Sequence, residues 1–151
     1  SSLIPYRNAS PEMKMASIFC ALDNLKEESM IERLDEIQSR IKFPNSFKLF
    51  AKTALKTSKI IDDSKDSISA NNIYEILEAT DAFRNPEQFS LTMEFHNLAE
   101  DPDRKIKIII DAFDACKEIS YDRESFEGIE GDAIKEKLVA LRIKKIDLIL
   151  K

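Results

Sequence analysis

Glycine occurs at only two positions, 128 and 131, in a chain of 151 residues, and proline at only five. Tight hairpin turns depend on residues that accept positive φ, glycine above all, so a sheet of hairpins has almost no turn chemistry to draw on. Helices are favoured on that ground alone. The rest of the composition agrees, with 43% hydrophobic and 34% charged residues, a globular and charge-rich balance rather than a disordered one. The length fits one domain, or one with a small appendage, and buries most of its apolar surface without staples.

Prolines and their neighbours mark where helices begin. At Ser10-Pro11-Glu12 the serine can cap and the proline takes the first turn, with Met15, Ile18, Phe19 and Leu22 as the inward stripe. A second helix runs from about Ser29, carrying Met30, Leu34, Ile37 and Ile41 three or four apart, until Pro44 breaks it. The third continues through about Lys59. Ile60 to Asn72 is rich in Asp, Ser and Asn and reads as the longest loop, after which Asn71 or Asn72 can cap a helix bearing Ile73, Ile76, Leu77 and Phe83. Asn85-Pro86-Glu87-Gln88 combines a cap, a proline at the first helical position and a glutamine placed for the reciprocal capping-box bond. Asp101-Pro102-Asp103 repeats the cap-plus-proline device before Ile106, Ile109, Ile110, Phe113 and Cys116. Gly128 and Gly131 lead into a last helix from about Asp132. The expected fold is all-α, about seven helices in a compact bundle or array. In the last helix Ile134, Leu138 and Leu141 define one face, and Val139, Ile143 and Ile146 nearly the opposite one. Such a helix either inserts between helices of its own domain or makes a subunit contact, as in a homodimer.

No apolar run approaches the ~20 residues that span a bilayer, and no signal-peptide pattern opens the chain. Cys20 and Cys116 sit among apolar residues far apart in sequence, as two buried thiols would in a reducing cytoplasm. The single histidine, His96, has neither cysteine at metal-ligand spacing and reads as an ordinary surface or half-buried residue. Carboxylates alternate with lysines as on exposed helix faces, and there is no glycine-rich phosphate loop. No catalytic set and no metal site are expected.

A net charge of −5 and a pI near 5.1 argue mildly against a dedicated nucleic-acid binder, but the charge is uneven. Between Asp23 and Glu36 stand six acidic and two basic residues; between Lys42 and Lys59 stand five lysines and no acid. Lys48, Lys52 and Lys56 recur every four residues, drifting only ~40° per step, and Lys59 falls back among them. Thr53 and Thr57 add hydroxyl donors. The row reads either as a solvated amphipathic face or as a contact for a phosphate backbone. Gly128-Ile129-Glu130-Gly131 reads either as a turn or as backbone N–H groups for an anion. Lys135, Lys137, Arg142, Lys144 and Lys145 make the last helix locally basic.

Asp81-Ala82-Phe83-Arg84-Asn85-Pro86-Glu87-Gln88-Phe89 resembles the Asp-Ala-aromatic-Arg-x-Pro stretch of the bacterial CCA-adding enzymes (tRNA nucleotidyltransferases). Phe43-Pro44-Asn45 is similar to that family's Val-Pro-Asn helix start. Gly128-Ile129-Glu130-Gly131-Asp132-Ala133-Ile134, with Leu138 and Arg142, resembles its closing Gly-x-x-Gly-x-x-Ile-x-x-x-Leu-x-x-x-Arg pattern. The three occur in the family's order and spacing, and the resemblance covers most of the chain, from about Pro11 to the end.

The resemblance implies the helical body and tail of such an enzyme, with degenerate HD-like and body helices over 1–62 and body and tail helices over 63–151. Its partner would be tRNA, held for addition of nucleotides by a catalytic head in the same polypeptide before Ser1. The start of the chain at Ser1-Ser2-Leu3-Ile4, without a methionine, fits such a fragment. Mg²⁺, CTP and ATP would bind that head, leaving no cofactor in this segment. The candidate RNA contacts are Lys48, Lys52, Lys56, Lys59, Arg84, Lys135 and Arg142. Some members carry an HD-type metal phosphohydrolase here, with a His-Asp pair after an apolar helix; this chain has Ala21 and Leu22 at that place and lacks the further histidines between Leu25 and Ile41. It departs again after Phe95, with Asn97, Leu98 and Ala99 in place of an acidic residue and an arginine. The competing reading is a helical protein-interaction or dimerisation module with no RNA role.

Overall fold

A computed structural model describes residues 9–23, 30–98, 104–120 and 126–151. Among them are seven helices and no strand: α1 (Pro11–Asp23), α2 (Met30–Arg40), α3 (Asn45–Asp63), α4 (Ala70–Ala79), α5 (Pro86–Asn97), α6 (Arg104–Cys116) and α7 (Asp132–Leu150). The fold is all-α, as composition required.

Helix boundaries follow local chemistry, with several departures from the sequence reading. Pro11 opens α1, and Ser10 Oγ accepts from the Met13 amide at 3.3 Å. Its buried face is turned from the expected stripe: Met13, Ala16 and Ser17 are buried, while Ile18 is 44% exposed. The side chains of Phe19, Ala21 and Leu22 lie outside the described residues, as does Asp101-Pro102-Asp103. In α2, Leu34 is fully buried, but Ile41 falls beyond the helix end and is exposed. α3 runs one turn past Lys59, so the expected long loop shrinks to residues 64–69. The α4 cap is Ser69, whose side chain accepts from the Asn72 amide at 3.1 Å, rather than Asn71 or Asn72. Ile110 is partly exposed, whereas Ile106, Ile109, Phe113 and Cys116 of α6 are buried.

Phe83 lies outside α4 because Asp81, at φ +52°, stops the helix. The Ala82 amide bonds Leu77 O and the Asp81 amide bonds Glu78 O, both at 3.0 Å. These are the two bonds of a Schellman stop, with Asp81 at its left-handed position. An aspartate tolerates that conformation better than most side chains. The buried Ala82 then packs with Leu77 in the same core. Four residues on, Asn85 Oδ1 caps α5 by accepting from the Gln88 amide at 3.3 Å.

Two apolar clusters result. One joins Met13, Ala16 and Leu34 to Phe50, Ala51, Ala54, Leu55 and Phe95. The larger gathers Ile73, Ile76 and Leu77 with Phe89, Met93, Ile106, Ile109, Phe113 and Ile146. α3 and α5 thread both: Ile61 ends α3 in the larger cluster, and Phe95 leaves α5 to meet Phe50 edge-on at 5.9 Å. At the junction the buried Lys105 donates to Ile61 O at 3.2 Å, placing a cation at the carbonyl end of α3.

Candidate nucleic-acid interface

The lysine row of α3 exists as the spacing required, because Phe50, Ala51, Ala54 and Leu55 take the opposite side into the core. It is not without an acid, however. Asp35 of α2 reaches across, its Oδ1 2.9 Å from Lys48 Nζ and 3.4 Å from Lys52 Nζ. Hydrogen bonding and charge from Lys48, then Lys52, hold the Asp35 carboxyl below the usual aspartate range. One carboxylate shared by two ammonium groups still leaves the row cationic, with Lys56 and Lys59 exposed at its far end.

The threonines between these lysines do not serve that surface. Thr53 and Thr57 are buried. Thr53 Oγ1 donates to Leu49 O at 3.0 Å and accepts from Gln88 Nε2 at 3.2 Å. Gln88 thus reaches across to α3. Its Oε1 accepts from the Asn85 side chain rather than making the reciprocal backbone bond expected of a capping box. Thr57 Oγ1 lies 2.8 Å from Thr53 O and 2.7 Å from His96 Nε2. Which of the two atoms donates in the bond to His96 is set by the ring's tautomer. Burial pushes His96 down to about 4, so the ring is uncharged at neutral pH.

The other candidate cations are placed differently. Arg84 is held by Asp81, Nε to Oδ1 at 2.9 Å, and its side chain remains 85% exposed. The hydrogen bond and charge of Asp81 raise its pKa further. Lys135 is exposed on the first turns of α7. Arg142 is inward: its guanidinium carbon lies 3.8 Å from the centre of the Phe83 ring, and its backbone carbonyl accepts from the buried Cys116 thiol at 3.6 Å. Burial, then Glu78, raises the Tyr74 hydroxyl, with a smaller opposing effect of Arg142. Arg142 therefore belongs to the packing of α7 on α4 and α6 as much as to any surface.

Gly128 and Gly131 have φ of +78° and +59°, and no heavy atom lies within 4 Å of where a Cβ would stand. Glycine serves the backbone there, not a close approach. Gly131, at ψ −130°, precedes the first turn of α7 in a region open almost only to glycine, which is the turn reading of the motif.

Cys20 and Cys116 are both free thiols, the first half-buried and the second buried. Among the described residues no group of three or more His, Cys, Asp or Glu side chains could hold a metal ion, and no helix is long and apolar enough to cross a membrane. No protein-family model, curated protein or solved structure matches the chain. The site is thus defined by its residues alone: a cationic row on α3, and a second set, Arg84, Lys135 and Arg142, on α7 and the α4–α5 connection. α4, which packs on both α3 and α7, lies between the two long helices in the chain of contacts.

Proposed function

We propose that this chain is a tRNA-binding body and tail segment of a CCA-adding nucleotidyltransferase, positioning RNA by its phosphates for a catalytic head elsewhere in the polypeptide. The observation that carries the reading is the position of the three family-like motifs. Phe43-Pro44-Asn45, Asp81 to Phe89 and Gly128 to Ile134 stand at the starts of α3, α5 and α7, in the order in which the family carries the motifs they resemble. The cationic row on α3 supports it, since ammonium groups on a helix face attract phosphates irrespective of sequence. Lys56 and Lys59, both exposed, are the residues of the row most available for that contact. Lys48 and Lys52 share Asp35 and would exchange that partner for phosphate.

Electrophoretic binding of tRNA over a salt series tests this. Lys56→Glu with Lys59→Glu weakens binding to all tRNAs alike and lowers the slope of log affinity against log salt by roughly two. Affinity indifferent to salt, or untouched by the double substitution, would sink the phosphate-row mechanism.

A further inference from the structure

α7 leaves the C-terminal part of an apolar line exposed, with Ile134 and Leu138 at its start half-buried. Ile134, Leu138, Leu141, Lys145 and Leu148 recur at spacings of four and three, within about 40° of one line along the helix. The core takes the other side, through Ile146, Val139, Ile143 and Leu150. On this line Leu141 is 37% and Leu148 60% exposed, with Ile149 beside them at 39%. Exposed lysines flank this seam, Lys135 on one side and Lys144 on the other, while Arg142 and Lys137 at the same flanks lie over the Phe83 and Phe126 rings. The acids Asp132, Glu136 and Asp147 fall toward the core side of the helix.

We infer that this face of α7 docks an amphipathic helix of another protein, one that carries acidic residues beside its own apolar seam. The four-and-three spacing is that of helix-on-helix packing, and the flanks select the charge of the partner. A second copy is opposed by the same flanks, because either relative direction of two α7 seams sets cation against cation. A lipid surface is opposed by Lys145, which places an ammonium group in the middle of the apolar line. Phosphates would satisfy the flanks but leave Leu141 and Leu148 uncovered.

The test titrates the full chain into a labelled three-heptad peptide with leucine at the seam and glutamate at the flanks, read by fluorescence anisotropy. A twin peptide with lysine at the flanks is the control. The acidic peptide binds saturably, weakens as salt rises, and loses at least about tenfold in affinity when Leu141→Ser and Leu148→Ser are combined; the basic twin does not bind. Circular dichroism and the thermal midpoint show that this variant is folded. Lys144→Glu with Lys145→Glu, at two exposed positions, gives an independent loss of the same sign. Equal binding of both peptides, no binding of either, or binding unaffected by both variants overturns the inference. So does a dimer in sedimentation that Leu141→Ser and Leu148→Ser dissolve. Dependence on those leucines for anionic vesicles or for tRNA, but not for the acidic peptide, overturns it as well.

Discussion

α3 and α7 are both 19 residues long and both carry a concentration of lysines, yet they meet the rest of the molecule in opposite ways. α3 buries Phe50, Ala51, Thr53, Ala54, Leu55, Thr57 and Ile61, whereas α7 fully buries only Ile146. Nearly all of α3's apolar side is used within the fold, Leu49 at 59% exposure being the exception, so what it offers the outside is mainly charge. α7 spends half its apolar residues on the core and shows the remainder between basic flanks. Equal length and similar local charge thus give two different surfaces, and the difference lies in how many sides of the helix are apolar.

The contrast is sharpest at Ile146, the residue on which α7's attachment concentrates. Ile146→Ala removes a fully buried side chain and costs about 2–5 kcal/mol, read from urea midpoints, whereas Leu148→Ser two residues on stays within about 0.5 kcal/mol. Equal losses at the two positions would mean that α7 is covered on both sides and the contrast is false.

For α3 the corresponding lever is pH, through the half-buried bond between Thr57 and His96. The unfolded chain protonates this imidazole near 6.5, but the folded chain only near 4. Between those values unfolding takes up a proton, so acid favours it; well above pH 6.5 the group is neutral in both states and contributes nothing. The loss on going from pH 7 to 4 is about 3 kcal/mol. Carboxylates titrate at the lower end of the same range, so the comparison is with His96→Gln, whose stability falls less by that amount. Parallel curves for the two proteins would place the ring in solvent.

The smallest effects sit at the helix starts, neither of which has a side-chain cap. Gly131→Ala forces a side chain into a glycine conformation and costs about 1–3 kcal/mol. Pro44→Ala, at φ −58° and ψ 145°, leaves an ordinary conformation and costs no more than about 1 kcal/mol, mainly by freeing the unfolded chain. Calorimetric midpoints of the two variants check the order; a reversed order would mean that the α7 turn is not held by its glycine.

Much of this architecture was legible in the sequence because it is written locally. Pro11, Asn85-Pro86 and the glycines announce helix starts within three or four residues, and apolar spacing shows the faces of α3, α4 and α7. What escaped was written across helices or in small side chains. α1 turns Ala16 and Ser17 inward against α3, and a reading that weighs Ile18 above alanine misses this face. The Asp35 carboxylate is thirteen residues from Lys48, and only the packing of α2 on α3 brings them together. The hydroxyls of Thr53 and Thr57 likewise belong to the interior, which helix phase could have suggested, since they follow Phe50 and Ala54 by three residues. For the candidate interface, residue types and spacing gave the row on α3, but nothing local foretold that Arg142 would lie over Phe83.

The segment from Thr80 to Asn85 has no spare residue. Asp81 stops one helix, Ala82 seals the stop, Phe83 receives Arg142, Arg84 pairs with Asp81, and Asn85 starts the next helix. Adding or removing one residue there would turn α5 by about 100° about its own axis and carry Phe89 and Met93 away from the core they fill. A lineage carrying this connection can exchange its letters one at a time but not change its length, so its spacing should drift more slowly than its composition.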